Sequence, residues 1–251
     1  MIGKARRQTL RLLRALARRA RLMLRLLLVV PAVPVLAEIK SADYVEPTTR
    51  YAHGVLGDAI EYGALQMKLR SGKTVTLTLP ESRVFEDIAP RLFDVTGDGA
   101  LEAIVVESSQ RGGARLAVYN ETGLIAATPH IGQSNRWLAP IGAIDLDGDG
   151  HVEIAYIDRP HLAKTLRVWR FENGKLTEVA NRKGLTNHRI GEDFISGGIR
   201  DCGTDPEMIT VDASWQKVVA TRFDGKRLTS RTLGAFTGQN ALQAALNCES
   251  F

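Results

Sequence analysis

Residues 145–154 read DLDGDGHVEI, and 51 positions earlier residues 94–103 read DVTGDGALEA. In the later copy Asp145, Asp147 and Asp149 alternate, Gly150 follows and Glu153 stands ninth. Carboxylates this close repel one another unless a cation joins them. Calcium prefers a flexible cage of oxygens, and a tight loop offers them from its first, third, fifth, seventh and ninth places, the seventh through a backbone carbonyl. Glycine in sixth place allows the sharp turn. The pattern assigns Asp145, Asp147, Asp149, the carbonyl of His151 and Glu153 to one ion. It assigns Asp94, Thr96, Asp98, the carbonyl of Ala100 and Glu102 to a second, weakened where Thr96 replaces a carboxylate. The alternative is that Asp-Gly pairs simply make good turns.

The duplication belongs to a longer period. Gly72, Gly123, Gly174 and Gly225 are spaced by 51, within MKLRSGKTV (67–75), VYNETGLI (118–125), VWRFENGKL (168–176) and VATRFDGKRL (219–228). Each lies between alternating apolar and polar residues, as at a β-hairpin tip where glycine accepts positive φ. Ahead of the second and third hairpins come APRLFD (89–94) and PIGAID (140–145), the acidic loops, then LEAIVVES (101–108) and VEIAYID (152–158). A unit therefore reads strand, acidic loop, strand, link, strand, glycine turn, strand. The fourth unit keeps GGIRD (197–201) and EMITVDAS (207–214) around a shortened loop that lacks two of the carboxylates, so no ion is expected there. The first is the most eroded, with EIKSAD (38–43) and RYAHGVLGD (50–58). Four short strands per unit, with almost no helical periodicity before residues 239–247, predict an all-β fold. The expected architecture is a β-propeller of about four four-stranded blades over 38–234, closed or capped by a segment at 235–251.

At this point the residues carry a family resemblance. DVTGDGALEAIVV and DLDGDGHVEIAYI resemble the D-x-D-x-D-G-x-x-[DE] calcium loops of FG-GAP/VCBS repeats, which build the integrin α-subunit propeller and many exported bacterial proteins. The resemblance spans roughly 89–158. It implies a propeller with structural calcium, two ions here, and no particular reaction.

The basic residues are unevenly placed. Residues 1–37 hold nine of the 33 Lys and Arg and none of the 28 Asp and Glu, so the remainder carries a net charge of −4. From Met23 the chain runs MLRLLLVVPAVPVLA, a basic residue, an apolar run and small residues at Val35 and Ala37. This predicts a secretory signal over 1–37, Met23 as the true start, and a periplasmic or secreted product. The run is too short and proline-broken for a stable membrane span. Rival readings of residues 1–22 are a helix lying on anionic lipid and a twin-arginine signal at Arg6-Arg7. Cys202 and Cys248, 46 residues apart, suit a disulfide in an oxidising compartment; two buried thiols are the alternative.

No HExxH, G-x-S-x-G, P-loop or dinucleotide glycine pattern occurs, so the expectation is a binding module and not an enzyme. Ahead of the inner strands stand Glu86 and Asp87 in RVFEDIAPR, Arg136 and Trp137 in SNRWLAP, and His188, Arg189, Glu192 and Asp193 in NHRIGEDF. Around a propeller axis they would face one another as a mouth for a protein, peptide or polysaccharide, or as acid and base of a hydrolase or lyase. The plainer reading is salt bridges and turn caps between blades. Trp169 and Trp215 are expected in blade packing. The net charge of −4 and the lack of a basic, aromatic-interleaved stretch argue against nucleic acid, and a monomer is expected.

Overall fold

The computed structural model describes residues 38–249; the expected signal segment and Met23 lie outside the described residues. The first unit is β1 (Ile39–Thr48), β2 (Glu61–Leu69) and β3 (Thr74–Thr78), with β2 central. The second contains β4 (Arg83–Phe85), β5 (Arg91–Phe93), β6 (Glu102–Ser109), β7 (Gly113–Asn120) and β8 (Gly123–Ala127). The third is β9 (Leu138–Ile144), β10 (Glu153–Asp158), β11 (Thr165–Glu172) and β12 (Lys175–Lys183). The fourth contains β13 (Leu185–Thr186), β14 (Gly198–Arg200), β15 (Glu207–Asp212), β16 (Lys217–Phe223) and β17 (Leu228–Ala235). All pairing is antiparallel. One bridge, Tyr62 to Phe85, joins the first two units into a single sheet; the other two units are separate sheets. Gly72, Gly123, Gly174 and Gly225 all have positive φ and sit at the outer hairpins, where the spacing predicts them.

The sheets stack face to face as propeller blades. A strand buried on both faces needs an apolar run instead of alternation, and β6 and β10 supply AIVV and IAYI, while β15 supplies MITV with Thr210 as its one polar member. Ala103 and Val105 pack toward the first unit, Ile104 and Val106 toward the third. Ile154 and Tyr156 face the second unit, Ala155 and Ile157 the fourth. Met208 faces the third unit, while Ile209 and Val211 face the C-terminal helix.

The two ends of this stack differ. On the first unit the face away from the second is polar, with Asp43, Lys68, Thr74, Thr76 and Thr78 exposed. On the fourth the outer face is apolar, and α1 (Gln239–Leu246) covers Ile209, Val211, Val218 and Ala220 with Leu242 and Ala245. Burial of Leu242 contributes about 2 kcal/mol. The helix lies where a further blade would pack. Cys202, in the β14–β15 loop, is disulfide-bonded to Cys248 just beyond α1, with Cα atoms 5.8 Å apart. The bond ties the helix to the sheet that it covers. No helix among the described residues is long and apolar enough to cross a membrane.

The inner strands are interrupted, which the sequence pattern does not announce. β4 and β5 both pair with β6; Glu86 still donates its N–H to the Val106 carbonyl (3.0 Å), whereas 87–90 leave the ladder, and Pro90 has no N–H to contribute there. β13 and β14 both pair with β15, leaving 187–197 out. Re-entry requires glycine at 197: its φ is +92°, and a Cβ would collide with the Ile209 carbonyl. In the third unit β9 runs through with only a bulge near Ile141. Glu86, Asp87 and His188 therefore sit within breaks of the inner strands, not ahead of them.

Candidate functional site

The two acidic loops connect β5 to β6 and β9 to β10, and they are built alike. Asp94 Oδ1 accepts from the N–H groups of Gly97 (2.7 Å) and Asp98 (3.2 Å), and Oδ2 from Gly99 (2.9 Å). Asp145 does the same with Gly148 (2.8 Å), Asp149 (3.2 Å) and Gly150 (2.8 Å). At the base of each loop a buried glutamate accepts a backbone N–H: Glu102 from Val95, Glu153 from Leu146. Burial pushes both carboxyls up, and Asp98 and Asp94 push Glu102 further.

The loops differ in what neutralises them. At Asp94, Asp98 and Glu102 the donors are backbone N–H groups and the Thr96 hydroxyl; no described Lys or Arg pairs with them. An all-oxygen set with uncompensated charge fits a hard cation. In the other loop Asp145, Asp147 and Asp149 place carboxylate oxygens within 4.8 Å of one another, the only such group of three among the described residues. Arg170 on β11 is inserted among them: Nη2 lies 2.6 Å from Asp147, Nη1 2.7 Å from Asp149 and Nε 2.6 Å from Glu153. A guanidinium thus holds oxygens that an ion would need. In the fourth unit Glu207 is gripped by Arg200 (2.6 Å) and Arg231 (2.8 Å), and Asp205 pairs with Arg222.

A cavity of about 170 Å³ opens where four connections meet. His53 and Val55 come from the β1–β2 connection, Arg136 and Trp137 from the segment before β9, His161 and Leu162 from the β10–β11 turn, and Ile190 from the break between β13 and β14. Backbone bonds lock these segments together: Gly191 N–H to the Val55 carbonyl (3.1 Å) and Arg159 N–H to the Trp137 carbonyl (3.0 Å). Leu162 and Ile190 form exposed lips, at 63% and 71%.

Behind the wall the polar groups are paired. Glu86 is fully buried, accepts from Ser108, and lies 2.5 Å from His53 Nδ1. Burial raises the Glu86 pKa and the contact with His53 opposes that rise. Trp137 donates Nε1–H to the Glu86 carbonyl at 2.8 Å. His188 Nε2 lies 2.9 Å from the Glu192 carbonyl, which only accepts, so Nε2 carries the hydrogen. The neutral ring's Nδ1 must then accept from His161 Nε2, 3.0 Å away. This leaves His161 Nδ1 as an acceptor. Burial first, and then the His188 ring, lower the pKa of His161 to about 4, which keeps it neutral.

Of the residues expected at a mouth, Arg136 and Trp137 reach the cavity wall, while Glu86 and His188 stand directly behind it. Asp87 is buried in an ion pair with Arg91 (2.6 Å). Arg189 stacks over Trp215 at 4.1 Å and its backbone N–H is capped by Glu192, so neither is on the wall. Asp193 is exposed to solvent. Nothing in the sequence pattern marks His53, His161 or Arg170 as site residues. Two lone histidines in separate units carry no motif, whereas Arg170 is recognisable only once β10 and β11 are paired and it stands opposite Glu153.

Comparison with known proteins matches residues 94–156 to a family model described as an FG-GAP-like repeat. No curated protein is matched. Among solved structures the chain is similar to the WD40 domain of SCAP from fission yeast, with 14% identity and a TM-score of 0.46. The alignment covers 84% of this chain and 48% of that one, so the chain spans about half the length of its structural relative.

Proposed function

We propose that this β-propeller, which carries an FG-GAP-like repeat at residues 94–156, is an exported binding module that captures the carboxyl end of a peptide. The observation that carries the reading is the cavity at His53, Arg136 and His161. Arg136 makes one guanidinium bond, to the neighbouring Asn135 carbonyl at 2.8 Å, and has no carboxylate partner among the described residues. It suits a terminal carboxylate. His161 Nδ1 suits an amide N–H, and Val55, Leu162 and Ile190 suit an aliphatic last side chain. Arg159, also on the wall, is already committed to Asp158 at 2.8 Å.

Calcium at Asp94, Thr96, Asp98, the Ala100 carbonyl and Glu102 would supply the charge that holds the loop compact. Export is supported by the Cys202–Cys248 bond and by the pattern of residues 1–37.

The test compares alanine tetrapeptides ending in leucine, as free acid and as amide, by calorimetric titration. The free acid is expected to bind at least tenfold more tightly than the amide, and Arg136→Ala to remove the difference. Equal binding of acid and amide by the wild type defeats the reading. A second reading, an enzyme acting on a polymer, draws on the Glu86–His53 pair, in which a buried carboxylate orients an imidazole. It requires that His53→Gln abolish turnover of a candidate polymer without changing the melting temperature.

A further inference from the structure

The FG-GAP resemblance implies the same ion in both acidic loops, yet the two loops face different residues across their sheets. Opposite Glu153 stands Arg170. In the second unit Ala103 pairs with Tyr119, which puts Asn120 opposite Glu102. The Asn120 side chain is spent on its own hairpin, accepting from Thr122 and Gly123.

Arg170 does more than lie near its loop. Its three nitrogens each reach a different carboxylate, Glu153, Asp147 and Asp149, at 2.6 to 2.7 Å. Its side chain is 19% exposed, and Asp147 and Glu153 are at 8% and 0%. The next unit walls the site: the Phe223 ring lies 6.0 Å from the guanidinium carbon, and a Cβ on Gly225 would come within 2.7 Å of Asp147. An ion bound to the same oxygens would sit against a fixed positive charge in a half-enclosed space, where repulsion is poorly screened.

We propose that Arg170 is the resident cation of the Asp145–Glu153 loop. This loop keeps its turn without an ion, and the only ion dependence of the pair belongs to Asp94–Glu102. The second clause rests on the calcium reading given above; the first does not.

The test counts calcium ions bound by the full chain in wild type, Asp149→Asn, Arg170→Gln and the double variant, and follows melting with calcium and with chelator. Wild type and Asp149→Asn are expected to bind the same number of ions. Arg170→Gln is expected to bind one more, to melt lower than wild type in chelator, and to be restored by calcium. Adding Asp149→Asn to it should abolish both the extra ion and the recovery. Loss of an ion in Asp149→Asn alone overturns the proposal, because the loop would then be a site despite Arg170. So does a folded Arg170→Gln that gains no ion. If Arg170→Gln does not fold, the comparison of wild type with the exposed-site variant Asp149→Asn still decides. A wild type with no bound ion, alongside Arg170→Gln with one, would remove the calcium reading of Asp94–Glu102 and leave the role of Arg170 standing.

Discussion

Replacing Glu61 with glutamine is expected to stabilise the protein above neutral pH and to do almost nothing near pH 4.5. Glu61 opens β2, where it pairs with Thr48 of β1, and is 2% exposed. Burial, then the charges of Glu86, Asp58 and Asp87, raise its pKa to about 9 from an ordinary 4.5. Between those values the folded chain keeps a proton that the unfolded chain has lost. Stability must therefore fall as pH rises through the window, by about 1.4 kcal/mol per unit. At pH 7 the accumulated cost is about 3 kcal/mol, a large part of a typical domain's stability. Glutamine is the same shape and cannot ionise. Urea unfolding at pH 5, 7 and 8.5, with calcium held constant, should give wild-type and Glu61→Gln stabilities that diverge steadily with pH. Glu86, also raised, steepens both curves; its charge is one of those acting on Glu61, so the divergence reports the pair. Parallel curves would refute the reasoning, since they would mean that Glu61 is solvated or already paired in solution.

Three further outcomes are expected. His161, held neutral with a pKa lowered to about 4, contributes stability that is present above about pH 6.5 and is lost as pH falls through 4. His161→Gln should flatten the acid side of the stability profile; an unchanged acid limb would contradict the burial of a neutral His161 ring. Cys202→Ser with Cys248→Ser opens a bond across 46 residues, worth roughly 4 kcal/mol in the chain-entropy model. Denaturant unfolding should report a loss of that order, and a loss below about 1 kcal/mol would mean that helix packing alone holds the tail. Gly197→Ala forces a methyl against the Ile209 carbonyl at positive φ and should cost more than about 1 kcal/mol. An alanine variant that melts with wild type would show that the break at 187–197 can relax.

The repeat was legible because its signals are local. A hairpin tip needs glycine at positive φ, and four such glycines at one spacing declare the period. The strands that follow the acidic loops carry the apolar runs AIVV and IAYI, which suit burial on both faces. What escaped depends on neighbours distant in sequence. Arg170 looks like an ordinary strand arginine until the β10–β11 register puts it across from Glu153. His53 and His161 are 108 residues apart, and only the folding of the β1–β2 connection over later units brings them to one cavity. Glu86, Asp87 and His188 stand out in the sequence as polar residues near the inner strands. Their partners Ser108, Arg91 and His161, which decide between a mouth and internal pairing, are distant or unmarked in the sequence.

The helix cap has a consequence in time. During synthesis the face formed by Ile209, Val211, Val218 and Ala220 exists before α1 has emerged, and it remains an open apolar surface until Leu242 and Ala245 arrive. Cys202 and Cys248 lie on opposite sides of that docking event, so their sulfurs meet only when the helix is seated. Thiol trapping at intervals during refolding would thus serve as a clock for the docking of α1, with each oxidised molecule marking a sheet that has been covered.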